Sequence, residues 1–280
     1  MISVERAAPP EWASLVTRLW FLEVPRIRRY EKILPLPSVH VIVNLSAPYR
    51  LIDPRGSSSR VEDAFVSGIQ PEFLVIESPE LIRHVGVELT PQGLRAFSAL
   101  PPEAVPGRIL PATAVFTDPA ELGRLRRDPT PEAALAGLES FLRKRRRTGV
   151  EPDPMVSAVL DAVRDSPAVR IGELAAALGV THKTVIAHFR AACGITPKPF
   201  AELARFHRFI TELPIGTHLP SWADLVAESP YYDQPHFIRA FRRFSGYTPA
   251  EYLARVAEFG PDAASFVPLD EVPGRVTAQG

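Results

Sequence analysis

The chain has 280 residues, no formal net charge at pH 7 and 46% hydrophobic residues, which is typical of a soluble globular protein with two domains. No segment approaches the roughly 20 consecutive apolar residues of a membrane span, and the first residues lack the basic start and apolar run of a secretory signal. We therefore expect a cytoplasmic protein. One cysteine excludes an intramolecular disulfide and a zinc site built from several cysteines.

The first 110 residues predict an antiparallel β-rich domain. Short segments rich in β-branched residues recur there, and Pro, Gly, Ser and Asp separate them. The predicted strands are residues 19–24, 39–46, 49–53, 72–78 and 82–90. His40 and His84 lie in two of them, and Glu88 shares a strand with His84. Two histidines can bind a metal ion, but no further ligand spacing supports such a site, so we predict satisfied core histidines, no metal and no cofactor.

Residues 111–148 predict short helices that connect this domain to the next. One helix begins after Thr130, runs to about Arg147 and ends in five consecutive cations at 143–147. These cations either form an arm that contacts nucleic-acid phosphates or lie in solvent at a helix C-terminus, where the helix dipole favours positive charge. We favour the second interpretation.

The linker at 149–154 divides the chain into predicted domains at 1–148 and 149–260. The remaining segment, 261–280, has no hydrophobic periodicity. We expect this tail to be disordered or loosely docked.

Two copies of one helical pattern fill the second domain. In the first copy, a helix of small residues at 171–178 is followed by a tight turn and a second helix at 182–192. Thr181 is the predicted N-cap of that second helix, and Val185 and Phe189 are spaced to face inward.

The second copy has a short helix at 222–228 and a following helix with Asp233 as its predicted N-cap. Three phenylalanines at helical spacing give the following helix one apolar stripe. They are Phe237, Phe241 and Phe244. A helix, a tight turn and a second helix are the outline of a helix-turn-helix, whose second helix lies in the major groove of DNA.

The end of each copy identifies the pattern as an internal repeat. The distance from Phe189 to Phe200 is 11 residues, and so is the distance from Phe241 to Tyr252. Between these aromatic residues, both copies carry a glycine and a Thr-Pro pair at the same offsets. Shared spacing with turn residues in register indicates a duplicated unit.

On these residues, positions 150–256 resemble the DNA-binding domain of the AraC/XylS family of bacterial transcription regulators. The matching residues of the first copy are Leu174, Ala175, Gly179, Phe189, Arg190, Gly194 and 196–198. Those of the second copy are Tyr231, Asp233, Gln234, His236, Phe237, 241–244, Gly246 and 248–252. A weaker match, from Trp20 to Phe97, is similar to the amino-terminal module of one branch of these regulators.

The resemblance implies an α+β multidomain protein. Its N-terminal domain is expected to be antiparallel and β-rich, with a cupin-like barrel as a common form in the family, and to bind an effector, dimerise or do both. Its C-terminal domain is expected to be all-α, with two helix-turn-helix units joined by a linker helix from residue 197 to about 213.

The sequence departs from the family pattern at two places. Pro230 stands in the turn where the family usually has glycine, which favours a different backbone path. Ile186 and Ala187 stand where the first reading helix usually has polar or arginine side chains. Apolar side chains can touch a thymine methyl group but cannot form a bidentate hydrogen bond. We therefore expect the first helix to read bases weakly, mostly through Lys183.

Charge distribution supports a DNA-facing surface on a neutral body. Residues 181–190 and 234–244 contain five cations and no acidic residue, although acidic residues slightly outnumber basic ones over 150–260. The predicted base contacts are Lys183, Gln234, His236 and Arg239. The predicted phosphate contacts are Thr181, His182, Arg190, Arg242 and Arg243. The candidate effector-binding residues of the first domain are Trp20, His40, His84 and Glu88.

These predictions describe a ligand-responsive, sequence-specific regulator that binds double-stranded DNA. Its two reading helices would enter successive major grooves, ~34 Å or ~10.5 bp apart, on a bipartite site. Further expected partners are a small-molecule effector, RNA polymerase in the case of an activator, and a second copy of the chain in a homodimer. No membrane partner is expected, and the nucleoid is the expected location.

Two other classes of function are weighed against this one. The sequence has no glycine-rich phosphate loop, no GxSxG motif and no HExxH motif, so an enzyme is not expected. The alternative is an architectural or low-specificity DNA-binding protein whose N-terminal domain binds a partner or senses a small molecule. Pro230, Ile186 and Ala187 support that alternative.

Overall fold

The structure is a computed structural model that describes residues 1–126, 130–166, 169–213, 234–260 and 266–269, without the side chains of Gln234 and His236. The predicted helix at 222–228, Tyr231, Pro230 and the predicted N-cap Asp233 lie outside these residues. Within them, an antiparallel β-rich part is followed by a helical part. The predicted α+β fold class is therefore confirmed.

The β-rich part consists of antiparallel strands in two sheets. In chain order the strands are β1 (Ile2–Ala7), β2 (Val16–Pro25), β3 (Tyr30–Ile33), β4 (Val39–Asn44), β5 (Tyr49–Ile52), β6 (Ser58–Val61), β7 (Ala64–Ser67), β8 (Leu74–Glu77), β9 (Leu81–Leu89), β10 (Ile109–Pro111) and β11 (Phe266–Leu269). The first sheet has the order β1-β2-β9-β4-β7-β10, and the second has the order β11-β3-β8-β5-β6.

The helical part begins with the connector and continues through both repeat units. The α-helices are α1 (Ala112–Val115), α2 (Ala120–Arg124), α3 (Pro131–Arg145), α4 (Pro154–Asp165), α5 (Ile171–Ala177), α6 (His182–Cys193), α7 (Pro197–Glu212), α8 (Gln234–Ser245) and α9 (Pro249–Phe259). Short 3-10 helices at Pro10–Trp12, Gly93–Ala96 and Pro102–Ala104 lie in the β-rich part. The predicted linker helix between the two units is α7.

Side-chain caps fix where several helices begin. Thr130 and Asp153 accept backbone N–H groups at the starts of α3 and α4, and Thr181 accepts the N–H of Thr184 at the start of α6, as the sequence predicts. Thr248 and Glu251 form a reciprocal capping box at the start of α9.

The first sheet buries both of its faces. On one face, Leu19, Val41 and Val87 occupy one row across three neighbouring strands, are fully buried and belong to the same core as the apolar face of α3. On the other face, Ile42 and Phe65 pack with apolar residues of the second sheet. Two-sided burial explains the run of three consecutive apolar residues, 41–43, in β4.

One hydrophobic core continues from the first sheet into the repeat units. The linker helix α7 contributes Phe206 and Phe209, which pack on the apolar stripe of α8. The ring centroids of Phe209 and Phe237 are 4.9 Å apart, and those of Phe206 and Phe244 are 5.0 Å apart. Phe241 lies between them and is buried. The predicted inward stripe of the second reading helix is therefore observed.

The tail is more ordered than the sequence predicts. Residues Phe266–Leu269 form β11, which pairs with β3 and places Val267 opposite Lys32. Val267 is fully buried. The expectation of a disordered or loose tail is wrong for these residues, because a strand of four residues is too short to show a hydrophobic period.

The five cations at the end of α3 are engaged within the protein. Arg143 pairs with Glu11 and Glu139, Lys144 and Arg145 both pair with Glu121, and Arg146 pairs with Glu151. The following residue, Arg147, donates to the carbonyl oxygens of Arg95 and Ser98 at 3.1 and 2.9 Å. The cluster therefore fastens the connector to its surroundings, which differs both from the favoured solvated helix end and from the alternative arm that contacts phosphates.

Candidate nucleic-acid interface

The first reading helix, α6, presents polar side chains from its first turn. Thr181, His182, Lys183 and Ala187 are exposed, whereas the inward positions of the same helix are buried. The N-cap bond of Thr181 uses its hydroxyl oxygen as an acceptor, and its hydroxyl also lies 2.8 Å from that of Thr184. A helix start with exposed cationic groups is suited to contact an anion.

An open cleft adjoins this helix start. It has a volume of about 570 Å³ and lies between the starts of α5, α6 and α7. His182 and Ile186 of α6 line one side, and Lys198 and Arg205 of α7 line another. Ile186 is half-buried in this cleft, and Ala187 points to the surface. The cleft beside α6 therefore combines apolar side chains with basic ones and with one carboxylate, that of Glu202.

His188, on the same helix, contacts another helix of the protein. Its Nδ1 lies 2.8 Å from Oδ2 of Asp153, the N-cap residue of α4. Burial opposes ionisation of this carboxyl, but bonds from His188 and from the amides of Val156 and Met155 outweigh it and lower the pKa of Asp153. His188 thus ties α6 to α4.

The second reading helix, α8, presents three arginines with different surroundings. Arg239 and Arg242 are exposed and form no ion pair with a described residue. Arg243 donates to Glu202 of α7 at 2.9 Å and lies over the ring of Phe244, 4.2 Å from its centroid. The predicted phosphate contact Arg243 is therefore already part of an ion pair, and its predicted contact with phosphate competes with Glu202.

The remaining predicted contacts divide in the same way. Lys183 and Arg190 are exposed and have no ion-pair partner among the described residues. Gln234 and His236 lie at the start of α8, and their side chains are outside the described part of the chain. Exposed cations therefore occur on both reading helices, as a groove-binding surface requires.

The four candidate effector residues all lie on one face of the first sheet. The strand register places Trp20 opposite Gly86, His40 opposite Glu88, and His84 opposite Asn44, which puts the four side chains on the face that Ile42 shares. Trp20 packs directly over Gly86, where an added Cβ would overlap the indole ring. This is the face that packs with the second sheet.

Two of these four residues have polar partners within the protein. His40 bonds to the hydroxyl of Ser38 at 2.9 Å, and Glu88 accepts from Arg18 at 2.9 Å. Burial lowers the pKa of His40 to about 4, while Glu88 acts in the opposite direction. These residues form a satisfied polar row at the sheet, as the sequence analysis favoured for His40.

His84 differs from the other candidates because its Nε2 atom is buried with no hydrogen-bond partner among the described residues. Its ring lies against that of Tyr49, with centroids 5.4 Å apart. Burial lowers the pKa of His84 to about 4, so the ring is neutral at pH 7. A buried polar atom without a hydrogen bond is costly, which distinguishes His84 from the other three candidates.

The polar residues that join the β-rich part to the helical part are absent from the predicted sites. Gln92 is buried, accepts the backbone N–H of Asp153 and donates to the hydroxyl of Ser157, both at 2.9 Å. Lys32 is also buried, and its Nζ donates to the carbonyl oxygens of Ser245 and Gly246. Neither residue belongs to a motif, and a single polar residue in a strand or loop gives no signal of a distant partner.

In the described ranges, no group of three or more His, Cys, Asp or Glu side chains is arranged to hold a metal ion. No described helix has the length and apolar character needed to span a bilayer.

Comparisons with known proteins match both parts of the chain. Residues 174–255 match the family model of a helix-turn-helix domain, and residues 5–111 match a domain of unknown function (DUF6597). A search of the curated proteins finds no match.

Among solved structures, the chain is similar to ToxT from Vibrio cholerae, with 13% identity, a TM-score of 0.48, and coverage of 86% of this chain and 98% of ToxT. A ToxT structure with a bound unsaturated fatty acid gives 13% identity, a TM-score of 0.47, and coverage of 84% and 94%. A DNA-binding transcriptional dual regulator from Escherichia coli K-12 gives 20% identity and a TM-score of 0.33, and the match covers 40% of this chain and 99% of that one.

Proposed function

Because the chain belongs to the AraC/XylS family of DNA-binding transcription regulators, we propose that it binds a bipartite DNA site sequence-specifically and that a small molecule bound by its N-terminal domain controls this binding. The observation that carries the proposal is the pair of reading helices with exposed cations that form no ion pair with a described residue. These are Lys183 and Arg190 on α6, and Arg239 and Arg242 on α8.

The roles of the cations follow from their positions. Arg239 lies on the exposed side of α8, within the first two turns, where side chains of a reading helix meet base edges. A guanidinium group can donate two hydrogen bonds to guanine, so Arg239 is assigned a base contact, with Lys183, Gln234 and His236 in supporting roles. Arg190 and Arg242 lie nearer the helix ends and are assigned phosphates, together with Thr181, His182 and Arg243.

Selection of bound sequences from a random duplex library tests the DNA role directly. The expected product is a motif with two parts whose centres are ~10.5 bp apart. The matched variant is Arg239→Ala. It should lose the preference at one base in the half-site bound by α8 and keep the preferences in the half-site bound by α6. Selection that enriches no motif would support the alternative architectural, low-specificity protein instead, for which Ala187 at a reading position is the favouring observation.

The effector site is assigned to the inward face of the first sheet, around His84. The unpartnered Nε2 atom of His84 beside the ring of Tyr49 favours a ligand with an aromatic or apolar body and one polar group that can bond to a neutral imidazole. Trp20 on the same face provides further apolar area, whereas His40 and Glu88 have partners already.

A ligand screen can test this part independently. Compounds that raise the melting temperature of the full chain should lose that effect in His84→Phe, which keeps a ring of similar size and removes the polar atom. Compounds that bind His84→Phe equally well would exclude His84 from the site. A compound that binds but leaves DNA affinity unchanged would show that the site is not regulatory.

The remaining aspects of the proposal follow from a DNA-binding regulator. It acts in the cytoplasm at the nucleoid and not as an enzyme. It contacts RNA polymerase in the case of an activator, and the β-rich domain is the candidate for homodimer formation. Light scattering of the full chain, with and without operator duplex, measures the oligomeric state.

A further inference from the structure

We propose that the N-terminal domain contacts the C-terminal turn of each reading helix, α6 and α8. Lys32 makes the contact with α8 and positions this helix so that both reading helices can enter their DNA grooves together. The proposal rests on the DNA-binding function above. It adds the contact that sets the geometry of the two reading helices.

The first contact lies at the C-terminal turn of α6. Gly194 ends this helix with φ at +75°, in the left-handed region. Its Cα lies so close to the N-terminal domain that an added Cβ would overlap the carbonyl oxygen of Pro102 and touch the backbone of Glu103. The neighbouring Cys193 is buried in the same contact. Glycine is therefore needed at this turn for its backbone angle and for its lack of a side chain.

The second contact lies at the equivalent turn of α8. Gly246 has a φ of +70°, and an added Cβ there would overlap the ring of Phe73 and approach Nζ of Lys32 to 2.6 Å. Both Phe73 and Lys32 belong to the N-terminal domain. The repeat places Gly246 where Gly194 stands in the first unit, so one domain contacts the same turn of both units.

Lys32 makes the second contact specific. Its Nζ donates to the carbonyl oxygen of Ser245 at 3.2 Å and to that of Gly246 at 3.3 Å. The last carbonyl groups of a helix have no partner within the helix and carry its partial negative charge, so an ammonium group is favourable there. The Nζ atom also lies 4.3 Å from the ring centroid of Phe73 and 3.5 Å from that of Tyr247.

The chain after α9 strengthens the same attachment. It returns to the N-terminal domain as β11, which pairs with β3, the strand that carries Lys32. Unit two is therefore attached to β3 twice, by the ammonium group at the end of α8 and by the strand after α9. The two units are joined directly by α7. The β-rich domain is a second connection, because it contacts the ends of both α6 and α8, and we call this second connection the brace.

This brace has a direct consequence for DNA binding. Two rigidly related helices can enter successive major grooves only when the half-sites lie at one separation. Release of α8 from Lys32 should let unit two adapt to other separations. The test is therefore the dependence of affinity on the spacer between half-sites, and affinity for a single half-site should stay the same.

The experiment uses the full chain and duplexes in which the selected half-sites are separated by the preferred spacer or by one or two base pairs more or fewer. Lys32→Met keeps the length and apolar contacts of the side chain and removes the donor. We expect its discrimination between spacers to fall by about fivefold or more, the lower end of typical coupling between linked sites. Lys144→Met removes an equal charge from an exposed pair with Glu121 and should keep the wild-type profile.

Lys32→Arg retains a cationic donor and should restore discrimination, whereas a variant that merely packs poorly would not be rescued in this way. A Lys32→Met profile identical to that of the wild type would overturn the proposal. If Lys32→Met fails to fold, Phe73→Leu tests the same contact by removing the ring beside the ammonium group. This variant should also discriminate less between spacers than the wild type.

Hydrogen exchange separates this proposal from the DNA-binding function. In Lys32→Met without DNA, the backbone amides of 245–248 and those of Phe266, Val267 and Leu269 should exchange faster, while those of 193–195 at the Pro102 contact should be unchanged. Unchanged exchange at 245–248 would refute the role of Lys32 even if DNA binding is real. A wild-type chain that selects no DNA motif would refute the function and leave the exchange result to decide the contact.

Discussion

The first and second helix-turn-helix units have the same internal positions but different reading surfaces. Phe189 and Phe241 occupy the same place in the repeat and are both fully buried. Ile186 and Ile238 also correspond, and both are half-buried. The isoleucine that departs from the family pattern in the first unit is therefore also present in the second unit, and in both units it partly faces the interior.

The difference lies one residue later in each helix. Ala187 of α6 corresponds to Arg239 of α8, and both positions are exposed. His188, the next residue of α6, pairs with Asp153, whereas its counterpart Ala240 is buried. In the first unit, the polar side chain of His188 therefore holds α4. In the second unit, Arg239 is exposed to solvent. We therefore propose that unit two supplies most base recognition and that unit one mostly positions the domain.

Truncation of the equivalent core rings has the largest expected effect. Phe189→Ala and Phe241→Ala should each lower the free energy of unfolding by about 3–5 kcal/mol, because each removes a fully buried ring and leaves a cavity. Chemical denaturation of both variants measures this. A much smaller loss in one of them would show that the two units do not share one packing scheme.

Substitutions at the two equivalent exposed positions, 187 and 239, have the next largest expected effect, which is on the free energy of DNA binding. Arg239→Ala should cost about 1–3 kcal/mol of binding to the selected site and should relax the preference at one base pair. Ala187→Arg should add a base preference to the other half-site, because it places a guanidinium at the equivalent exposed position. Binding titrations against single-base variants of the site measure both effects. An Arg239→Ala variant with unchanged sequence preference would contradict the assignment.

Much of this architecture could be predicted from the sequence, because it depends on local patterns. The reading helix α6, its cap Thr181 and the linker helix α7 follow from helical periodicity and N-cap chemistry, and the buried stripe of α8 follows from its three phenylalanines. In the β-rich half, the strands β2, β4, β5, β8 and β9 follow from short β-branched segments, whereas the other strands were not predicted. Each of these features is determined by residues within about four positions of one another.

The contacts between distant parts of the chain could not be predicted. Lys32 and Ser245 are 213 positions apart, and Gln92 and Asp153 are 61 positions apart. Strand β11 pairs with a segment more than 230 residues earlier. Each of these contacts involves one polar group or a very short strand, so no periodicity accompanies it. The sequence also gave no sign that Arg243 has Glu202 as a partner.

The helix that follows each reading helix offers a smaller test of the comparison. Thr248 caps α9 in a box with Glu251, while the equivalent Thr196 makes no side-chain cap bond at the start of α7. Pro199 stands where Glu251 stands in the second unit, and it has no N–H for Thr196 to accept. Thr248→Ala should therefore cost about 1 kcal/mol of stability, and Thr196→Ala should cost almost none. Equal losses in thermal or chemical unfolding would contradict this difference.

The smallest expected effect concerns pH and belongs to the first unit alone. The pKa of Asp153 is lowered in the folded chain, because bonds from His188 and two backbone amides outweigh the effect of burial. A carboxyl group with a lowered folded-state pKa stabilises the fold above its ordinary pKa, and this stabilisation is lost as the pH falls through the folded value. His188 is about half exposed, so solvent screening limits the pair to a fraction of a kcal/mol. Below about pH 4, the ordinary pKa of an aspartate, the stability of the wild type should fall more steeply than that of Asp153→Asn. The asparagine keeps the side-chain shape and an acceptor oxygen but does not titrate. Parallel pH curves for the two proteins would mean that this carboxylate does not contribute to the attachment of α6 to α4.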